Sequence, residues 1–569
     1  MLIVLMAIQT FVSCDDFLDK SPYGTLSEED LTSVQSIENS CIAAYAGIGN
    51  DEINRPMSLW GYGNVRADDA YKGGGGSTDN TELYWFEISS PSLANEIGGP
   101  DVFWYRNYIV VSRINSTLRA LNNVTDNEMP TRQSRMAEMH FLRAHIHFYN
   151  KILFKHIPYI VETMSREDIS NESNVALTDD ELWQKIIDDL EYAYQNLPTT
   201  QSQVGRPNKY AAAAYLAKAY LYKAYRQDEQ HNVTEINQQE LQKVIEYADV
   251  VIASPYHLES DYAYNFLPGQ YENGAESIFA IQYSMDDGTT WGRLNMGCVL
   301  TAPSQGVDAQ GNLTNPGMDF HKPSQSLVNA FITKDGLPDF DAYNEQDYNE
   351  ATDKADPRLY HTVALPGKPY KYTDRLYTTQ CTRTSDQFYG YYSSLKENVE
   401  PGSEYYVRAH KEFPWYGNPK NWIVLRYADV LLFKAEALIE TGSHADALPL
   451  INQIRNRAKA STGLIGFANN VDIQPYNDGV NCTWNQGFAR KALRWERRVE
   501  MACEGFRFFD LVRWGICAET MNAYYQKEQA LHTYYQGAYF EKNKNEFMPV
   551  PIQQLRWSKD IYEQNYGWK

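Results

Sequence analysis

The sequence predicts a mainly α fold, built of tetratricopeptide-like helical repeats with a loop-rich module packed on them. Three observations carry this. The stretch Arg426 to Ala460, RYADVLLFKAEALIETGSHADALPLINQIRNRAKA, has the pattern of one helical hairpin. Ala- and Tyr-bearing amphipathic segments recur before it, with an irregular period. Between about residues 254 and 421 the helical rhythm fails, and Gly, Pro, Asn and aromatic residues take over.

In the hairpin, Ala428, Leu431, Leu432, Ala435, Leu438 and Ile439 form one apolar stripe at helical spacing. Gly442 supplies a left-handed stop, and Ser443 with Asp446 reads as a capping box for the next helix. That second helix turns Ala447, Leu450, Ile451, Ile454 and Ala458 inward. Further helices are predicted over Glu38–Gly49, Val102–Asn122, Met136–Leu153, Asp179–Asn196, Lys209–Tyr225, Glu240–Ala253 and Gly487–Trp514. Residues 50–100 are rich in Gly, Asn, Asp and aromatics and read as a flexible loop region. The run Gly73 to Gly76 lacks the Gly-Lys-Ser/Thr of a phosphate loop. The organisation is thus one domain over 14–569, with a repeat frame at roughly 102–253 and 422–515 and loop-rich regions at roughly 50–100 and 254–421.

The 569 residues carry a net charge of −22 and no long basic run, which argues against a nucleic-acid partner. The same acidity disfavours polyanionic sugars unless a local cationic cluster overturns it. The 43 Tyr and 12 Trp exceed what a core of ordinary composition needs, and a binding surface is one place for them. The cysteines make neither CxxC nor a Cys/His zinc spacing. His140, His145 and His147 lack the i,i+4 pair that a helical zinc site uses and read as packed or surface histidines. No EF-hand spacing supports calcium, and no cofactor is expected.

Residues 1–13 read as a signal peptide, whose apolar run Leu2 to Val12 is too short to span a bilayer. Phe11-Val12-Ser13-Cys14 is close to a bacterial lipobox, with Cys14 the expected lipid attachment point. The mature chain would be a body on a lipid tether at the membrane.

Six motifs in order resemble the SusD/RagB family, the surface glycan-binding lipoproteins of Bacteroidetes. They are CDDFLDKSP, FLRAHIHFYNKILFKHIPYI, RPNKYAAAAYLAKAYLY, the hairpin itself, ERRVEMACEGFRFFDLVRWG and the closing VPIQQL…EQNYG. The resemblance covers nearly the whole chain. It implies four tetratricopeptide-like units, no catalysis, an outer-membrane location at the cell surface, and a SusC-like TonB-dependent transporter as partner. It also implies an oligo- or polysaccharide ligand, held partly by the N-terminal loop region.

Sugar faces stack on aromatic rings, and sugar hydroxyls need charged donors and acceptors beside them. The stretch Trp60 to Trp85, WGYGNVRADDAYKGGGGSTDNTELYW, offers both in a non-helical setting. It supplies the glycan-binding candidates Trp85, Asp68, Asp69, Arg66, Asn64 and Tyr71. The irregular region adds Trp291, Arg375 and Tyr392. The charged residues Glu496, Arg497, Arg498, Glu500, Glu504 and Arg507 are expected to pair within and between helices. The reading is therefore a non-catalytic glycan-binding lipoprotein that delivers sugar to its transporter. Its rivals are an α-helical glycoside hydrolase or lyase, and a protein-binding repeat scaffold. The sequence does not select the glycan.

Overall fold

Helical periodicity becomes a series of helices that pack on their sequence neighbours. The computed structural model describes residues 31–49, 59–90, 99–285, 294–303, 317–383, 386–400, 402–410 and 413–569. The expected signal peptide over residues 1–13, the expected lipid attachment point Cys14 and the candidate Trp291 lie outside these residues. The frame begins with α1 (Val34–Gly47), α2 (Gly99–Asn122), α3 (Arg132–Phe154), α4 (Asp179–Asn196), α5 (Lys209–Ala224) and α6 (Gln238–Ile252). It continues with α7 (Tyr427–Glu440), α8 (His444–Ala460), α9 (Gln486–Glu500) and α10 (Cys517–Leu531). Thr178 and Asn208 cap α4 and α5 by accepting from the third backbone N–H of each helix. The Ala run of α5 leaves no side chain bulky enough to hold neighbours apart, and α5 is buried on all sides between α4, α6 and α7.

Helix α6 packs directly on α7, although the whole irregular region separates them in sequence. Residues 254–421 are thus an excursion that leaves the frame and returns beside its point of exit. Its neck is a pair of antiparallel strands, Ser277–Ile281 and Trp422–Arg426, in which Ser277 faces Arg426. Buried ion pairs lock this neck. Arg426 Nη1 lies 2.7 Å from Glu276 and 2.5 Å from Glu500, and Arg457 Nη1 lies 2.7 Å from Glu276. Arg358, from within the excursion, reaches Glu496 at 2.6 Å and Glu500 at 2.8 Å. The motif charges are therefore structural, and they bridge elements more than they line one helical face.

Two local expectations are corrected. Ser443 makes no side-chain cap to α8, although Gly442 does take the left-handed conformation at φ +89°. The helix expected over Gly487–Trp514 stops at Glu500, turns through Cys503 (φ +62°) and Gly505 (φ +86°), and resumes at Arg507–Arg513. Tertiary contact forces this break. The Gly505 N–H donates to Asn64 Oδ1 at 2.7 Å, and a Cβ on Gly63 would lie 1.8 Å from the Gly505 carbonyl oxygen. Only a backbone without a side chain allows that crossing.

The three helical histidines are all spent within the fold. His140 pairs with Asp189 at 2.6 Å, His145 meets Tyr215 at 3.0 Å, and His147 meets the Arg143 carbonyl at 2.9 Å. Burial pushes the His145 and His147 imidazoles down to about 3 and about 4, so both are neutral packing groups. The six described cysteines are free thiols.

Candidate functional site

The stretch expected to be a flexible loop is, from residue 59 to 74, a buried crossing through the protein. It forms a helical turn, Trp60–Gly63, and a strand, Ala70–Gly73, paired antiparallel with Phe320–Pro323. Five of the expected sugar contacts lie on it and are corrected by their burial. Asp68 and Asp69 are 2% and 0% exposed. Arg498 binds both, at 3.0 and 2.8 Å, and Arg507 binds Asp68 at 2.8 Å. Burial alone would raise the Asp68 carboxyl, but Arg498 and Arg507 hold it well below the usual carboxylate range. Arg66 lies over the Phe508 ring at 3.9 Å and donates to the Asn545 carbonyl at 2.7 Å. Asn64 accepts from Gly505, and the Tyr71 hydroxyl donates to Glu528 at 3.1 Å. Each polar head is taken up inside, which leaves none of the five a face for a sugar.

Where this crossing emerges, it builds an aromatic surface. Lys72 sends its ammonium to the carbonyls of Gly73 and Gly76 at 2.9 and 2.8 Å and of Asp79 at 2.5 Å, so the glycine turn is stapled from below. Gly73 sits at φ +79°, and a Cβ there would lie 2.3 Å from the Asp319 carbonyl. Asp79 accepts from the Gly75 N–H at 2.7 Å and pairs with Arg383 at 2.7 Å, both side chains partly exposed. The following helix, Thr81–Glu87, turns Leu83, Phe86 and Glu87 inward and leaves Tyr84 and Trp85 partly exposed. Tyr84 donates to the Tyr534 carbonyl at 2.6 Å, and Phe388, 39% exposed, stacks on the Tyr534 ring at 6.3 Å and 21°. Partly exposed aromatic rings and a charged Arg383–Asp79 pair thus come from the same two stretches of chain, Asp79 to Trp85 and Arg383 with Phe388, and together they supply the group types that sugar recognition uses.

Arg375 lies near a second aromatic pair. Tyr406 and Tyr416 stack at 4.4 Å and 5°, across the paired strands Val407–His410 and Phe413–Gly417. Burial pushes the Tyr406 hydroxyl up, while the nearby Arg375 guanidinium opposes the shift. Arg375 Nη1 and the Tyr406 hydroxyl are buried without a hydrogen-bond partner among the described residues. A ligand hydroxyl is the kind of group that would satisfy both. Tyr392 is partly exposed and packs instead against a separate cluster around Leu327, Leu359 and Val499. Of the expected residues, Trp85 and Arg375 therefore stand at candidate surfaces, and Tyr392 packs elsewhere. Arg383, Asp79, Phe388, Tyr406 and Tyr416 escaped the sequence reading. Phe388 and Tyr392 belong to one string, FYGYYSS, whose pattern does not tell which of its rings faces out.

Beneath the first surface lie two carboxyls with displaced titration. Burial pushes Glu87 and Glu528 up to about 7 each, and the Lys72 ammonium only partly offsets this for Glu87. In the unfolded chain both lose their proton near the ordinary carboxyl value, whereas in the fold they keep it to about pH 7. The native state then binds more protons, so this contribution to stability is present below the ordinary value and is lost as pH rises to about 7. Glu528→Gln is therefore expected to raise the unfolding free energy at pH 8 by up to about 3 kcal/mol, and to leave it nearly unchanged at pH 4. Equal effects in thermal melts at both pH values would refute the buried-carboxyl account.

Comparison with known proteins now bears on this geometry. Residues 275–568 match the family model described as the SusD family, and residues 16–221 match one described as starch-binding associating with outer membrane. SusD-like protein P2 of Formosa agariphila is 25% identical over 582 residues, covering 99% of this chain and 98% of the relative. A SusD-like protein of Bacteroides ovatus is 24% identical over 527 residues, 90% of this chain and 82% of that protein. Among solved structures, a laminarin-binding SusD-like protein superposes with a TM-score of 0.67 at 22% identity, covering 94% of this chain and all of the other. The surface glycan-binding protein A of Bacteroides thetaiotaomicron, solved with laminarihexaose, superposes at 0.62 and 21% identity, again over 94% of this chain and 100% of the other. With more than half of its length matched by the family model and the helical-repeat architecture in place, this chain belongs to the SusD family.

Proposed function

We propose that this protein is a non-catalytic, lipid-anchored glycan-binding protein of the outer membrane. In this reading it holds an oligosaccharide at the cell surface and passes it to a SusC-like TonB-dependent transporter. The observation that carries the reading is the partly exposed Tyr84, Trp85 and Phe388, neighbours in sequence of the partly exposed Arg383–Asp79 pair, on a fold shared with laminarin- and glycan-binding relatives. A shallow surface of this kind favours fast release over tight binding, which suits handing a sugar on. The catalytic rival loses its candidate acids, because Asp68 and Asp69 are buried in ion pairs with arginines. The raised carboxyls of Glu87 and Glu528 are themselves 1% exposed and sit below the tyrosines, out of reach of a glycosidic bond.

The test is titration calorimetry of the purified chain across neutral polysaccharides, followed by chromatography of each mixture. Heat with one glycan class and no new saccharides is the expected result. New cleavage products would replace the binding reading with an enzymatic one. The anchor is tested separately: Cys14→Ala is expected to move the protein from the membrane fraction to the soluble fraction, and retention at the membrane without the transporter would remove the lipid attachment from the reading.

A further inference from the structure

Beside the neck of the excursion lies a small cleft, open to solvent, with about 30 Å³ of accessible space, room for a small anionic group rather than a whole sugar ring. Its lining includes Lys396, Glu397, Lys420, Trp422 and Glu504. Each carboxylate there is already engaged. Glu504 takes Lys396 at 2.7 Å and Arg426 at 3.0 Å, and Glu397 takes His321 Nδ1 at 2.8 Å. Lys396 is also held, between the Tyr262 and Phe266 rings at 5.0 and 4.6 Å. Lys420 differs. It is 7% exposed, lines the cleft, and its ammonium has no hydrogen bond or ion pair among the described residues. The buried Lys371 lies near it and donates to the Phe266 carbonyl at 3.1 Å; burial, and then the Lys420 charge, push its amine well below the ordinary value.

A buried ammonium without a hydrogen bond or contact ion pair is costly to keep charged, and Glu272, Glu397 and Glu504 act on Lys420 only from beyond ion-pair distance. Burial indeed lowers the Lys420 amine below its ordinary value. An oxyanion entering the cleft would supply the missing partner through a charge-assisted hydrogen bond in a setting of low dielectric. Trp422, partly exposed on the same lining, offers a flat face for the ring that carries the anion. We propose that this cleft is a second binding site, which takes the carboxylate or sulfate of an acidic sugar unit on Lys420 with Trp422 beside it. The inference rests on the glycan-binding reading for the sugar and on Lys420 for the charge. It also offers a local cationic exception to the net acidity of the chain.

The test is calorimetry of the full chain with sodium glucuronate, sodium sulfate and glucose, at ionic strength matched with sodium chloride. Binding of glucuronate or sulfate but not glucose is expected, with at least a tenfold loss in Lys420→Met and retention in Lys420→Arg. Stronger glucuronate binding assigns a carboxylate, and stronger sulfate binding a sulfate ester. Affinity in Lys420→Met within twofold of wild type, or no binding of either anion, overturns the proposal. Should Lys420→Met fail to fold, the melting temperature of the wild type in glucuronate or sulfate against chloride takes its place, and an unchanged temperature overturns the proposal. Neutral-polysaccharide binding in Lys420→Met separates the two readings. Silence with every neutral glycan alongside Lys420-dependent anion binding would sink the aromatic surface and keep the cleft. Neutral binding with no anion effect would do the reverse.

Discussion

Asp68→Ala is expected to lower the stability of the fold by about 3–5 kcal/mol, because it strips two buried guanidinium groups of their anion. Arg498 is fully buried and Arg507 mostly so, and Asp69 is left as the remaining carboxylate within ion-pair distance of Arg498 alone. A urea titration followed by circular dichroism reads the loss as a lower midpoint. Sugar affinity of the folded fraction is expected to stay where it was. A variant with a wild-type midpoint and lost affinity would return Asp68 to the binding surface.

Trp85→Ala carries the opposite signature. Truncating a central aromatic contact costs about 2 kcal/mol or more of binding, roughly a thirtyfold rise in Kd. Trp85 is partly exposed on a two-turn helix whose buried residues are Leu83, Phe86 and Glu87, so the unfolding midpoint should move little. Phe388→Ala tests the same face from the other side, where its ring lies on Tyr534. Calorimetry with the glycan identified for the wild type provides the measurement. Unchanged affinity in both variants would remove this surface from the proposed function. The two experiments together separate a residue that holds the protein from one that holds a ligand.

The helices were legible because their signal is local. Stripes at helical spacing, the Gly442 stop and the Ala-rich α5 each report on a few neighbouring residues, and burial along a helix repeats every three to four positions. The motif arginines and glutamates were legible as a structural set for a related reason, since so many opposite charges close in sequence have to find partners. The wrong capping box at Ser443 shows the limit even here. The sequence pattern S-x-x-D is present, but the Ser443 backbone does not take the extended conformation that aims its hydroxyl at the helix.

The sequence by itself therefore determined the helical frame, the existence of an irregular excursion, the family, and the residue types from which a sugar surface can be made. It did not determine which of those residues face water. Asp68, Asp69 and Trp85 belong to one stretch of suitable composition, and nothing within that stretch distinguishes them. The difference comes from Arg498, which reaches Asp69 across 429 residues of chain, and from Gly505, whose close approach to Gly63 carries the segment into the interior. Likewise the two carboxylates that line the cleft with Lys420 are already taken by groups from distant segments. Exposure, pairing and vacancy of charge are properties of contacts between distant segments, and only the tertiary structure decides them.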